Sequence, residues 1–383
     1  MNGLQPELDL DTVLKRQPWR NPVRKIFNER FQQVIRRMNF ILIPLFTMVV
    51  SSVALALPGG WQTIKPGGDT MCARGGEFSF AVRPGDPRKV VIEFGSGGAC
   101  WDSLTCGNTT IFKDTVDDNF GKINSQSGIY EENNIRNPYR GWTHVVIPYC
   151  TGDLHLGVAD ATYFSLTKGP MKIHHRGGVN AKAALDWVHE NYPLPTDISV
   201  SGCSAGSYAS VIWTAYVAEQ NKFARIMQFG DSGAGVTNRL FFAQWGMQNT
   251  MPSWIPSFDP NVVDWSRMTM GQIYKGVADF YPNIQFSQFN HESDRVQSFF
   301  YAILSGNTSG WRPRMFQNME EAALIPNFRY YVASGADHCA SVGDRLYWTN
   351  TNGVALIDWL SNIVKGLPVR NVTCTQCSHA NNE

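Results

Sequence analysis

The chain has 383 residues, 43% of them hydrophobic and 17% charged, which is enough to bury one large core or two modest ones. Thirty-three basic side chains balance 32 acidic ones for a net charge of +1, so no long-range field favours nucleic acid or anionic lipid as a partner. The expected organisation is an N-terminal extension over residues 1–56 followed by a single catalytic domain over 57–383, acting as a monomer.

In the extension, Arg36-Arg37 precede an apolar run from Phe40 to Leu57, and Ala54-Leu55-Ala56 has the small-x-small form of a signal-peptidase site. The alternative is an uncleaved membrane anchor, although a run of about 18 residues is at the lower limit for a span and Thr47, Ser51 and Ser52 weaken it. Eight cysteines, an even number, suit an oxidising compartment in which all can pair. Both features point to a secreted or extracytoplasmic protein. Sequons at Asn108, Asn307 and Asn371 are compatible with glycosylation there.

After the leader, short β-branched or apolar runs alternate with helical periodicity, the pattern of a mostly parallel sheet with helices on both faces. Strands are predicted at Val90–Phe94, His144–Tyr149, Ile198–Ser201, Ala224–Phe229, Ile284–Phe289 and Tyr330–Ser334. Between the second and third, Ala181, Ala184, Leu185, Trp187 and Val188 form one apolar stripe of a helix over Gly177–Tyr192, headed by His174-His175. A second helix is predicted over Ala205–Glu219. Residues 234–282 carry Leu240, Phe241, Phe242, Trp245, Met247, Met251, Trp254, Trp265, Met268 and Met270. So long a connection between two strands normally has a function or its own structure, and a helical cap over the active site is expected, the alternative being that these residues are core. The tail from Cys374 to Glu383 is polar.

The third strand runs into Gly202-Cys203-Ser204-Ala205-Gly206, the G-x-S-x-G pattern in which a serine sits on a sharp strand-to-helix turn. A serine hydroxyl needs a base to become a nucleophile. In the chain order Ser, acid, His of α/β-hydrolases the base follows the last strand, which selects His338. The acid should follow the preceding strand, where Asp294 or Glu292 can serve; Asp231 is a further contender, and Asp337, adjacent to His338, is better suited to shaping the loop. The glycine-rich loop Gly95–Cys100 and the N–H of Ala205 are the expected oxyanion donors. With no P-loop lysine after it, the loop is not a phosphate cradle. Cys203 lies immediately before Ser204 and Cys339 immediately after His338, and the two are expected to be bonded to each other.

Taken in order, the Gly-rich loop with its cysteine, Pro148-Tyr149-Cys150, Gly-Cys-Ser-Ala-Gly, Asp231-Ser232-Gly233, Asp294-x-x-Gln297 and His338-Cys339 resemble the pectin acetylesterase and Notum carboxylesterase family over about Cys72 to Cys339. The resemblance implies an α/β-hydrolase-like fold, ester hydrolysis, a triad of Ser204, Asp294 and His338, and oxyanion donors at Gly97, Gly98 and Ala205. It also implies disulfides Cys72–Cys150 and Cys100–Cys106. One departure is that family members place a tryptophan just before the loop cysteine, whereas here Ala99 precedes Cys100 and Trp101 follows it.

The expected substrate is an acylated carbohydrate or another ester, with acetyl or another short acyl group on a polysaccharide such as pectin favoured. A lipase-like or feruloyl-type esterase and a non-catalytic binding protein on the same scaffold are the alternatives. No cofactor and no metal are expected. There is no H-E-x-x-H, and Cys374-Thr375-Gln376-Cys377, even with His379, reads as a terminal disulfide or a loose pair.

Overall fold

The computed structural model describes residues 60–117, 127–167, 169–235, 244–261, 263–264 and 268–374. The leader, Leu240, Phe241, Phe242 and Trp265, and Cys377 with His379 lie outside them. The strands are Gln62–Ile64 (β1), Phe80–Arg83 (β2), Asp86–Phe94 (β3), Trp142–Ile147 (β4), Ala159–Ser165 (β5), Gly169–His175 (β6), Asp197–Cys203 (β7), Arg225–Asp231 (β8), Phe286–His291 (β9), Phe328–Ala333 (β10), Asn350–Thr351 (β11), Val354–Ala355 (β12) and Val372–Thr373 (β13). The helices of more than one turn are Gly177–Asn191 (α1), Ala205–Gln220 (α2), Met270–Phe280 (α3), Arg295–Ser305 (α4), Trp311–Ala322 (α5) and Leu356–Val364 (α6).

Nine of the strands form one sheet in the order β1-β2-β4-β3-β7-β8-β9-β10-β13. Pairing is antiparallel only at the β1, β2, β4 edge and parallel elsewhere. The parallel strands carry apolar residues toward both faces because helices cover both. Val90, Ile92 and Phe94 pack with α1, α2 and α3, while Val91, Met227, Phe229 and Tyr331 pack with α6. The structure is thus an α/β-hydrolase-like fold, and no helix among the described residues is long and apolar enough to cross a membrane.

All six strands anticipated from the sequence are present, with ends displaced by a few residues. His174 and His175 depart from expectation: they close β6, paired with β5, and α1 begins only at Gly177. Residues 234–282 depart too. Of their described large side chains, Trp245, Met247, Met251, Phe258 and Met270 are buried in the core with α2 and α3, Trp254 and Phe280 are exposed, and none lines the pocket at Ser204. The physical reason is burial, since full enclosure of an aromatic or Met side chain is worth about 1.5–3 kcal/mol more than exposure. Trp245 also donates its indole N–H to the Cys100 carbonyl at 3.0 Å.

Candidate active site

The chain runs from β3 outward to β4 and then back across to β7 on the other side of β3. At such a reversal of strand order the loops leaving the two central strands diverge and open a crevice at their C-terminal ends. Phe94 pairs with Gly202 in register, so the Gly95–Cys100 loop and Ser204 emerge side by side. Further along the sheet His291 pairs with Ala333, which brings out Asp294 and His338 together.

Ser204 has φ 57° and ψ −118°, a conformation an L-residue holds only when its surroundings impose it. The Ser204 N–H donates to the Asp231 carbonyl at 2.8 Å, and the Ser207 N–H donates to the Ser204 carbonyl at 2.9 Å. A Cβ on Gly206 would run into the Phe94 carbonyl, and one on Gly202 into the Gly206 carbonyl. Both glycines are therefore required for the helix to start so close to the sheet. Ala205 opens α2, so its N–H has no acceptor within the helix, and Ala205 lines the same pocket as Ser204.

Gly98 and Ala99 line the same pocket. Gly98 has φ +75° and its Cβ would meet the Ile111 carbonyl, while a Cβ on Gly97 would enter the Tyr149 ring. The loop is fixed from behind: the Lys113 N–H donates to Gly97 O at 2.8 Å, Cys100 N–H to Gly152 O at 2.9 Å, and His155 Nε2 lies 2.9 Å from Gly95 O. Burial lowers the His155 ring to about 4 and the His175 ring to about 4, so both stay neutral and act as hydrogen-bonding struts. Disulfides Cys100–Cys106 and Cys72–Cys150 close around this loop.

Of the four acids weighed from the sequence, Asp294 meets His338: Oδ2 lies 2.7 Å from Nδ1. Asp294 is fully buried and caps α4, accepting from the Val296 and Gln297 N–H groups at 2.9 Å each, with the Gln297 side-chain amide donating to Oδ2 at 3.0 Å. Glu292 instead pairs with Arg312, and Asp337 with Arg345 at 2.8 Å. Asp231 accepts from the Ala340 and Ser341 N–H groups in the loop just past His338. The other ring nitrogen, His338 Nε2, is buried without a hydrogen-bond partner among the described residues, and His338 and Ser204 border one pocket. Cys203 and Cys339 are joined in a disulfide, with Cα atoms 5.8 Å apart.

The pocket is small, about 60 Å³, and its walls are apolar: Leu154, Tyr208, Val296, Phe300, Leu304 and Trp311. Sequence reasoning did not single out this wall. Its signal was the spacing of Val296, Phe300 and Leu304 by four, which places them on one face of α4. Among the described residues two clusters have metal-ligand geometry, Cys100 with Cys106 and His175, and Cys203 with His338 and Cys339. In both, the thiols are consumed by disulfides, so each keeps one histidine as a ligand.

A strained serine at a strand-to-helix turn, an acid–histidine pair and a glycine loop around one pocket define the class, an α/β-hydrolase-type carboxylic ester hydrolase. The chain belongs to the pectinacetylesterase family, whose family model matches residues 66–255. Two solved structures of the Wnt deacylase Notum from Drosophila have the same fold. One, at 16% identity, covers 82% of this chain and 96% of that chain with a TM-score of 0.57. The other, at 14% identity, has the same coverage and the same TM-score of 0.57. No curated protein matches by sequence.

Proposed function

We propose that this chain is a secreted serine esterase that removes acetyl or another short acyl group from a polysaccharide such as pectin. Ser204 is the nucleophile, His338 the general base and Asp294 the acid that orients it. The observation that carries the reading is the 2.7 Å contact between His338 Nδ1 and Asp294 Oδ2, with Nε2 left free on a pocket shared with Ser204. With Nδ1–H committed to Asp294, Nε2 is the unprotonated nitrogen that can take the serine proton.

The chain of events follows from these positions. Ser204 Oγ attacks the ester carbonyl as its proton passes to Nε2, and the developing oxyanion is held by the N–H groups of Gly97, Gly98 and Ala205. Nε2 returns the proton to the leaving sugar hydroxyl, and the acyl group remains on Ser204. Water, deprotonated by the same nitrogen, then releases the carboxylic acid.

Pocket size supports a short acyl group. The pocket offers about 60 Å³, a small space that suits acetyl. The family name and the deacylase relatives support removal of an acyl group, and the three disulfides formed among the described residues suit an oxidising, extracytoplasmic setting. Acetate release from acetylated pectin, xylan and chitin oligomers tests the substrate. Ser204→Ala should lower the rate by at least about 10³-fold with the fold intact, and a smaller loss excludes Ser204 as nucleophile.

A further inference from the structure

Like Ser204, Ser232 and Cys339 adopt positive φ without being glycine, each at φ 60°. Such conformations cost of order 1–3 kcal/mol each and persist only where neighbours enforce them. All three are hydrogen-bonded, directly or through one hydroxyl, to a single buried residue, Asp231.

Asp231 ends β8 and pairs in register with Cys203. Its main-chain carbonyl accepts the Ser204 N–H at 2.8 Å. Its Oδ2 accepts three bonds, from Ala340 N–H at 2.8 Å, Ser341 N–H at 2.6 Å and Ser341 Oγ–H at 2.6 Å. Its Oδ1 accepts from the Ser232 hydroxyl at 3.0 Å, and that hydroxyl oxygen in turn accepts the Cys339 N–H at 2.9 Å. The residues held by its carboxylate, 339 to 341, directly follow His338. One residue thus grips the nucleophile's turn with its main chain and the base's loop with its side chain.

We infer that Asp231 is a positioning residue that sets the register between Ser204 and His338, acting on the reaction without touching substrate. The inference rests on the serine reading above. Bonds between Ser204 Oγ and Nε2 form only when two loops from separate strands agree to within a few tenths of an ångström, and small displacements there cost rate steeply. Carboxylate acceptors make the strong, short class of hydrogen bond, so a charged oxygen at this junction holds the loop more firmly than an amide would.

The test compares Asp231→Asn and Ser341→Ala with the parent and with Ile363→Ala, a destabilising control in the core under α6. An asparagine can still turn its carbonyl oxygen toward residues 340 and 341, so that variant keeps the shape while losing the charge. For both site variants kcat and the rate of Ser204 labelling by a fluorophosphonate should fall together by about tenfold to a hundredfold, with KM within about twofold. Ile363→Ala should lower Tm and leave kcat per folded molecule unchanged. If Asp231→Asn and Ser341→Ala lose no more turnover per folded molecule than that control, Asp231 is a structural acceptor only and the inference falls. Ser204→Ala is run alongside: a dead Ser204→Ala with an unaffected Asp231→Asn overturns this inference alone, whereas an active Ser204→Ala overturns the serine reading and this inference with it.

Discussion

Replacing Glu93 by glutamine is expected to stabilise the protein, and by more as the pH rises. Glu93 is buried on β3 beside Ser201 and the Cys203 backbone, on the same face of the sheet as Tyr130, Tyr139 and Asp231. Burial, reinforced by the Asp231 charge, raises its carboxyl from the ordinary 4.5 to about 8, while Ser201 and Cys203 pull it back less. Below pH 4.5 folded and unfolded chains both bind the proton and Glu93 contributes nothing to the pH dependence. Between 4.5 and 8 the unfolded chain has released it and the folded chain has not, so stability falls with rising pH. At about 1.4 kcal/mol per pH unit, the loss is about 1 kcal/mol at pH 5, about 3 at pH 7 and about 5 above pH 8. Glutamine has no proton to lose and so lacks this slope. Urea unfolding of both proteins at pH 5, 7 and 9, disulfides intact, should show their difference in unfolding free energy widening by about 4 kcal/mol, a large share of the usual 5–15 kcal/mol total. A difference that stays constant within about 1 kcal/mol across that range would refute a protonated Glu93.

Asp294→Asn leaves the residue's shape but reverses its hydrogen bond to His338 Nδ1, and kcat should fall by about 10⁴-fold; a loss under about tenfold in a steady-state assay excludes Asp294 as the orienting acid. Phe300→Ala opens the apolar wall, and at about 0.8 kcal/mol per buried methylene nitrophenyl butyrate should gain about tenfold over nitrophenyl acetate in kcat/KM. Equal changes for both esters would mean that α4 does not set acyl length. Replacing Cys203 and Cys339 together by serine removes a link spanning 136 residues, worth about 5 kcal/mol in the chain-entropy model. Denaturant midpoints unchanged by the double replacement would show that this disulfide does not hold the fold.

The linear pattern was sufficient for everything that depends on neighbours in the chain. Alternation of apolar runs with helical stripes specified the parallel strands, because strands buried on both faces must be apolar throughout. Gly202-Cys203-Ser204-Ala205-Gly206 specified the turn, because only glycine allows the Phe94 and Gly206 carbonyls to approach so closely. Chain order then selected His338. Which acid serves that histidine was left among Asp294, Glu292 and Asp231, since the choice depends on where strands β8, β9 and β10 end relative to one another. Their registers bring Asp294 to Nδ1, give Glu292 to Arg312 and place Asp231 under residues 339 to 341. The fate of Trp245 and Met247, core and not pocket, and the choice of Val296, Phe300 and Leu304 as a wall of the pocket were likewise settled by packing. An apolar side chain carries no label for the surface it will meet, because hydrophobic burial is non-directional; only the assembled sheet and helices decide which apolar faces close on one another and which remain open to a substrate.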